Sequence, residues 1–520
     1  MTLDLTRRQT LQFGALLFAG ASFPTLGRAA DAPKNLIVAI PQSPAALEPV
    51  LKNNTATVQT IFSVYDRLLA IDFKTGEVRP GLAESWEKID PRTFEFKLRQ
   101  GVKFHDGGEM TAEDVAFSFS KERISGPKDG ISVAAQYHRT IEKVELVDPN
   151  TVRFTTNQID PAFLLKVGGW SAEIVSKKAF EAGGGWKNWA TKPIGAGPYK
   201  IVENRQDEIL ILDAHKDYWG GSPAFERIEF RIVPEAVVRV NGLLAGDFHI
   251  ATSLNPDQID QVNAAPGLEI VGGPIQNVRT LNFATSNGIL KDVRLRRAIS
   301  HAIDRDGIVQ SIWQNRTVVP HGFQDPAYGN TYLDDARVPT YDPDLAHKLI
   351  AEAGYKGEEI VYRSQSSAYP LELQTSQIIV EMLRDVGLNV RLEVKESWDQ
   401  VYTKPIESII WNESTLFAWP DPTGGLIRLY GSAGQFQRDP FNWSADEFNK
   451  VAGEFESTDD LKKRQELHRR LLDIVEHENP PCTVLFDNAL FYGKRKNIPW
   501  APYPTLYVDY GPNNAATKVR

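Results

Sequence analysis

The sequence predicts an α/β fold of interleaved lobes, on three observations. Segments with the two-residue period of half-buried strands alternate along the chain with segments of helical period. One stretch, 358–394, reads strand–helix–strand, the unit of a parallel pair with a covering helix. No long low-complexity linker and no repeat of fixed period separates the units, so domains must be joined by short crossings.

Asn35–Ile40 is the first strand, stopped by Pro41. Phe94, Phe96 and Leu98 alternate with Glu95, Lys97 and Arg99, a half-buried strand. Thr111 with Asp114 forms a capping box that opens a helix with Val115, Ala116 and Phe119 on one face. Gly195, Gly197 and Pro198 mark a turn before a strand; with no third glycine, they do not make a dinucleotide loop. Ile228, Phe230 and Ile232 alternate with Arg227, Glu229 and Arg231, again a strand. Asp292 caps a helix whose apolar face is Leu295, Ala298, Ile299, Ala302 and Ile303. Asp342 and Pro343 open another helix, which Gly354 ends. Within 358–394, Glu359–Arg363 and Val390–Val394 are the strands and Leu371–Val386 the helix. Ligands of such sheets lie at the carboxyl ends of strands. The loop there, 364–370, has Ser364, Ser366 and Tyr369 facing a helix start that favours an anion.

The 520 residues are 42% hydrophobic and 24% charged, a globular composition that can bury several cores. Lys and Arg number 58 against 67 Asp and Glu, a net charge of −9 without a basic block. That argues against nucleic acid, whose binding is driven by phosphate neutralisation. Cys482 is the single cysteine, which excludes an intrachain disulfide and a thiolate metal site; it is expected to pack as a small hydrophobe. The nine histidines are scattered without ligand spacing, so no metal or cofactor site is expected. A nucleophile elbow and a phosphate loop are both missing, so a secreted hydrolase has nothing to support it.

Arg7 and Arg8 precede a short apolar run, Phe13 to Ala21, and Gly27 and Ala29 offer small residues for cleavage. Residues 1–29 resemble a twin-arginine signal, with Thr10 where a large apolar residue is usual, so a Sec route stays open. Removing Arg7, Arg8, Arg28 and Asp4 takes the net charge from −9 to −11. No later apolar run reaches the length of a membrane span, so a protein working outside the cytoplasm is expected. Four of the eleven tryptophans, Trp398, Trp411, Trp419 and Trp443, fall within one short stretch. Trp419 begins a stiff loop with Pro420, Asp421 and Pro422, suited to an aromatic wall against a ligand.

Three blocks resemble the solute-binding proteins of bacterial ABC importers in the peptide/nickel/opine class, family 5. The first runs from Ile61 through Trp86 and Phe94–Gly107 to Val115. The second is Pro193–Tyr199 with Asp217–Gly220. The third is Leu281–Phe283 with Val293–Ile299 and Ala302–Arg305. The resemblance implies a two-lobed periplasmic-binding-protein fold, type II and of the large peptide-binding class, with an extra subdomain in lobe one. It implies lobe one at 30–277 plus 486–520, the inserted subdomain at about 50–185, and lobe two at 278–485. A monomer would enclose a peptide or other small solute by hinge closure and deliver it to the transmembrane subunits of a permease, without bond chemistry.

By position, the resemblance places Gln42, Ser43, Asn282, Ser364, Ser366, Tyr369 and Trp419 in the cleft, and Trp398, Trp411 and Asp421 join them as candidates. Peptide-binding relatives carry W-x-x-D-x-x-[DE]-P in the late loop, whose first Asp pairs with a peptide ammonium. Here the stretch Trp419–Pro422 is about three residues shorter, and Asp421 matches the acidic residue before Pro. An opine or a sugar-phosphate is therefore the alternative solute, with a chelated metal behind it.

Overall fold

One ten-stranded sheet runs through the molecule, and two long antiparallel strands, Leu268–Phe283 and Cys482–Arg495, carry it from one lobe to the other. The computed structural model describes residues 32–51, 54–128, 132, 134–365, 369–438, 441–443 and 445–514. Residues 1–29, expected to form an export signal, and Ser366 lie outside the described residues.

On one side of the crossing pair stand Ile409–Leu416, Ile360–Gln365 and, at the edge, Val390–Lys395. On the other stand Ile250–Ala251, Asn35–Ile40, Arg227–Ile232, Ile209–Ala214 and Tyr199–Arg205. The crossing strands pair from Leu268 opposite Arg495 to Asn282 opposite Cys482, and their register slips between Pro274 and Val278. Pro274 has no N–H to give the ladder. Gly272 has φ +101°, and a Cβ there would lie 2.1 Å from the Leu490 carbonyl oxygen, so only glycine fits.

The strand–helix–strand unit is present: Ile360–Gln365 and Val390–Lys395 pair in parallel, joined through the helix Glu372–Asp385. The first strand begins one residue later and runs two residues further than its sequence pattern suggested, so Ser364 and Gln365 belong to the sheet and not to the loop. The reason is local: Ser364 and Gln365 pair in register with Val394 and Lys395. Thr111 and Asp114 form the expected capping box, and Asp292 and Asp342 cap their helices through their side chains. Gly354 ends the second of these in the left-handed conformation.

Between Asn35–Ile40 and Tyr199–Arg205 the chain builds a separate antiparallel sheet, in the order Ala83–Asp90, Thr93–Leu98, Thr151–Thr156, Ile141–Asp148. Its buried face is aromatic: Phe94 stacks on Phe163 at 4.5 Å, and Phe96 meets Phe154 edge-on at 5.5 Å. This added layer has its own core around Leu82, Phe96, Val115 and Phe154. Cys482 is buried in the core of the other lobe, where desolvation pushes its thiol pKa up. Among the described residues, no helix is long and apolar enough to cross a membrane.

Candidate ligand cleft

The two lobes meet along a seam formed by the inserted subdomain and the late loops of the second lobe. Tyr137 stands edge-on to Trp419 at 5.5 Å, and the Lys166 ammonium lies 5.8 Å from the centre of the Trp419 ring. Gln136 Nε2 donates to the Arg428 carbonyl oxygen at 2.5 Å, and the Arg428 guanidinium covers the Tyr137 ring at 5.5 Å. Arg139 pairs with Glu456, and Gln276 Nε2 donates to the Phe73 carbonyl oxygen. Along the seam Gln136, Tyr137, Arg139, Lys166, Trp419 and Arg428 line a crevice of about 50 Å³, room for water.

Trp419 is 3% exposed and belongs to the same apolar cluster as first-lobe residues Phe73, Trp170 and Tyr507. Its indole N–H donates to Thr423 Oγ1 at 2.9 Å, which fixes the ring on the seam. Behind it the first lobe presents an aromatic layer: Phe62 stacks on Tyr507 at 5.2 Å, and Tyr507 on Trp170 at 5.8 Å. Arg67 lies over Phe62 at 4.3 Å and pairs with Glu173 at 2.6 Å. Desolvation raises the Glu173 pKa, and Arg67 pulls the other way. Trp170 Nε1, Tyr507 Oη and Glu173 Oε2 are buried without a hydrogen-bond partner in the protein.

A second polar group lies at the carboxyl end of Ile360–Gln365. Glu372 opens the following helix, and its Oε1 accepts from Ser364 Oγ at 2.8 Å and from Asn412 Nδ2 at 3.0 Å. Its other oxygen pairs with Arg279 on the crossing strand. Leu371, in the left-handed conformation, replaces a capping side chain at this helix start. The helix start that the sequence offers to an anion therefore already holds the negative charge of Glu372. Tyr369 stacks over the Arg279 guanidinium at 3.7 Å, and its hydroxyl accepts from the Ser414 N–H at 3.2 Å.

The structure spreads the remaining candidates. Gln42 is exposed, whereas the buried Ser43 accepts from the Asp207 N–H at 2.7 Å. Asn282 is buried within the sheet and bonded to Tyr430 and Thr280. Trp398 stacks on Tyr402 at 5.7 Å and meets Tyr369 edge-on, at the margin of the second polar group. Trp411 packs into the second-lobe core against Phe436 and Phe441, with its N–H on Glu413. Burial raises the Glu413 pKa. Asp421 is 6% exposed and spends both carboxylate oxygens inside the lobe. One accepts from the Thr423 N–H at 2.9 Å and the Thr423 hydroxyl at 2.5 Å, and the other pairs with Arg464. Sequence reasoning missed Tyr137, Arg279, Arg428 and Tyr507. Each is a single residue without a motif, brought to its place by the crossing strands or the inserted subdomain.

Two lobes joined by crossing strands and meeting over a buried seam are the architecture of a solute-binding receptor. Residues 77–437 match the family described as bacterial extracellular solute-binding proteins, family 5 middle, and the chain belongs to that family. It is similar to the dipeptide-binding protein of Escherichia coli K12, 27% identical over 520 aligned positions that cover 94% of this chain and 96% of that one. A periplasmic binding protein of Helicobacter pylori associated with an ABC transporter, in complex with the peptide STSA, superposes with TM-score 0.80. It is 22% identical and covers 92% of this chain and 98% of its own. The protein AgaA from A. tumefacien R10, in complex with agropinic acid, superposes with TM-score 0.79 at 23% identity. That match covers 91% of this chain and 96% of the other. The chain is thus a receptor of the ABC-importer class with the two-lobed fold of the large peptide-binding proteins, and not an enzyme.

Proposed function

We propose that the protein captures a peptide or peptide-like solute between its lobes and passes it, as a monomer in the periplasm, to the transmembrane subunits of a permease. The observation that carries this reading is Trp419, a second-lobe ring seated against Tyr137 and Lys166 of the inserted subdomain. A solute entering the seam meets that ring before the lobes can shut. The likeness to a dipeptide-binding protein over nearly the whole chain supports the peptide class. In this reading lobe one spans 30–277 with 486–520 and lobe two 278–485, the inserted subdomain spanning about 50–185; the register slip between Pro274 and Val278 in the crossing pair lies near the first of these limits. Export by the Arg7–Arg8 signal completes the reading.

An opine or sugar-phosphate solute is the second reading, favoured by one observation. Asp421 is bound to Arg464 and Thr423, so it offers no carboxylate to a peptide ammonium. A thermal-shift screen of dipeptides, tripeptides, glutathione, opine-type conjugates and sugar phosphates separates the two. A true ligand at 100 times its dissociation constant adds about 2.7 kcal/mol to stability. Stabilisation by peptides supports the first reading, and stabilisation by opines or sugar phosphates alone replaces it with the second.

A further inference from the structure

We propose that Gln136, Tyr137 and Arg139 of the inserted subdomain, together with Lys88, form a salt-sensitive latch that holds part of the solute-free population with its lobes shut. The inference goes beyond the receptor reading, because it concerns the solute-free molecule and names no solute. Helix Ala134–Tyr137 and the residues after it set three side chains against the second lobe. Gln136 Nε2 donates to the Arg428 carbonyl oxygen at 2.5 Å and lies 3.5 Å from that of Ala433. The Tyr137 ring stands edge-on to Trp419 and under the Arg428 guanidinium. Arg139 pairs with Glu456. Lys88, on the strand Ala83–Asp90, places its Nζ 3.5 Å from Asp459 Oδ2.

The second lobe leaves the matching groups open to them. Helix Asp446–Glu456 has no basic residue in its last turn, yet carries Glu454 and Glu456 there. A helix C-terminus bears partial negative charge, so acids at that end are disfavoured and a nearby cation is favoured. Lys463 of the same lobe serves Glu454 at 3.7 Å. Among the described residues, Glu456 and Asp459 pair only with Arg139 and Lys88, across the seam. The Arg428 carbonyl belongs to the last turn of Leu426–Tyr430, one of the carbonyls that a helix end leaves without an intrahelical partner, and Gln136 supplies its donor. The subdomain precedes the first crossing strand in the chain, whereas Glu456 and Asp459 lie between the two crossing strands. Each contact therefore exists only while the lobes meet, and its energy favours the shut form alone. Glu456 is 14% exposed and Arg139 37%, so salt still reaches the pair, and the more exposed Lys88–Asp459 pair is screened further.

The test is small-angle scattering of the mature protein, unfolded and refolded beforehand to strip any carried solute. Sodium chloride is raised from about 0.01 M to about 1 M, which shortens the screening length from about 30 Å to about 3 Å. The proteins are the parent, the double variant Arg139→Gln with Lys88→Gln, the reversal Arg139→Glu, and the swap Arg139→Glu with Glu456→Arg. Melting curves confirm that each is folded, and the salt response of the parent needs no variant at all. We expect the radius of gyration of the parent to rise with salt. The double variant should show the larger radius already at low salt and respond little to more. Arg139→Glu should be expanded at low salt, and the swap should recover most of the parent's compactness, because the pair is rebuilt with its charges exchanged. A parent radius that ignores salt, or equal low-salt radii in parent and double variant, would overturn the latch. A swap as expanded as Arg139→Glu alone would overturn it too, since the charge pair would then not be the cause. Failure of every solute class in the thermal-shift screen would count against the receptor reading and leave these radii unchanged, so the two can fail separately.

Discussion

Replacing Asp421 by Ala should unfold the second lobe at markedly lower denaturant while leaving solute recognition in the folded protein intact. Two losses add up. The carboxylate caps the turn that follows it through the Thr423 N–H and hydroxyl, and losing such a cap costs about 1 kcal/mol. It is also the counter-charge of Arg464, whose side chain is only 6% exposed. Removing one partner of a buried pair typically costs about 3–5 kcal/mol, because the other charge stays behind unpaired. Arg464 keeps its bond to the Phe455 carbonyl oxygen at 2.9 Å and its place over the Phe455 ring at 3.9 Å. Those contacts put the pair at the lower end of that range, so the sum is about 4 kcal/mol. Urea unfolding followed by tryptophan fluorescence reads it, together with Arg464→Met and the double variant. The cycle should show a coupling of about 3 kcal/mol, since either single change already forfeits the pair. An unfolding curve like the parent's, with solute affinity down tenfold, would show that Asp421 serves the ligand and that this reasoning is wrong.

Trp419→Ala should weaken solute binding by at least roughly tenfold, from lost aromatic contact and lost apolar burial, as calorimetry would measure. A fall in apo stability of about 3–5 kcal/mol with unchanged affinity would make it a core residue instead. Small-angle scattering should give a smaller radius of gyration once a saturating solute is present; an unchanged radius would mean that the solute-free protein already rests closed. Arg7→Lys with Arg8→Lys should leave precursor in the cytoplasm on cell fractionation, because charge is kept and only the guanidinium fork is lost. Normal export of that variant would point to the Sec route.

The elements that announce themselves do so through local chemistry. Asp292 and Asp342 are side-chain caps that need no tertiary context, and Phe94, Phe96 and Leu98 carry their period within one strand. The unit at 358–394 was legible for the same reason, apart from the end of its first strand, which depends on pairing with Val394 and Lys395. The cleft was less legible. Trp419 could be singled out because prolines flank its loop, but Trp411, equally conspicuous in sequence, sits in the core since its strand position turns it toward Phe436 and Phe441. Asp421 reads as a loop acid, and only folding reveals Arg464, 43 residues away, as its partner. Arg279 stands in a run of buried strand positions where an arginine signals nothing until Glu372 and Tyr369 arrive from a distant segment.

The crossing strand Cys482–Arg495 also sets the order in which the molecule can be completed during synthesis. It lies between Ile250–Ala251 and Leu268–Phe283 in the sheet, yet among the described residues it is the last strand in chain order. At about 5–20 residues per second, it leaves the ribosome roughly 10 to 50 s after Ile250–Ala251. Until then the ten-stranded sheet has a gap at its middle, and its two sides cannot close on each other. Nascent chains should therefore stay open and protease-sensitive until the C-terminal segment is made, and chains stopped before Cys482 should never acquire the resistance of the finished protein.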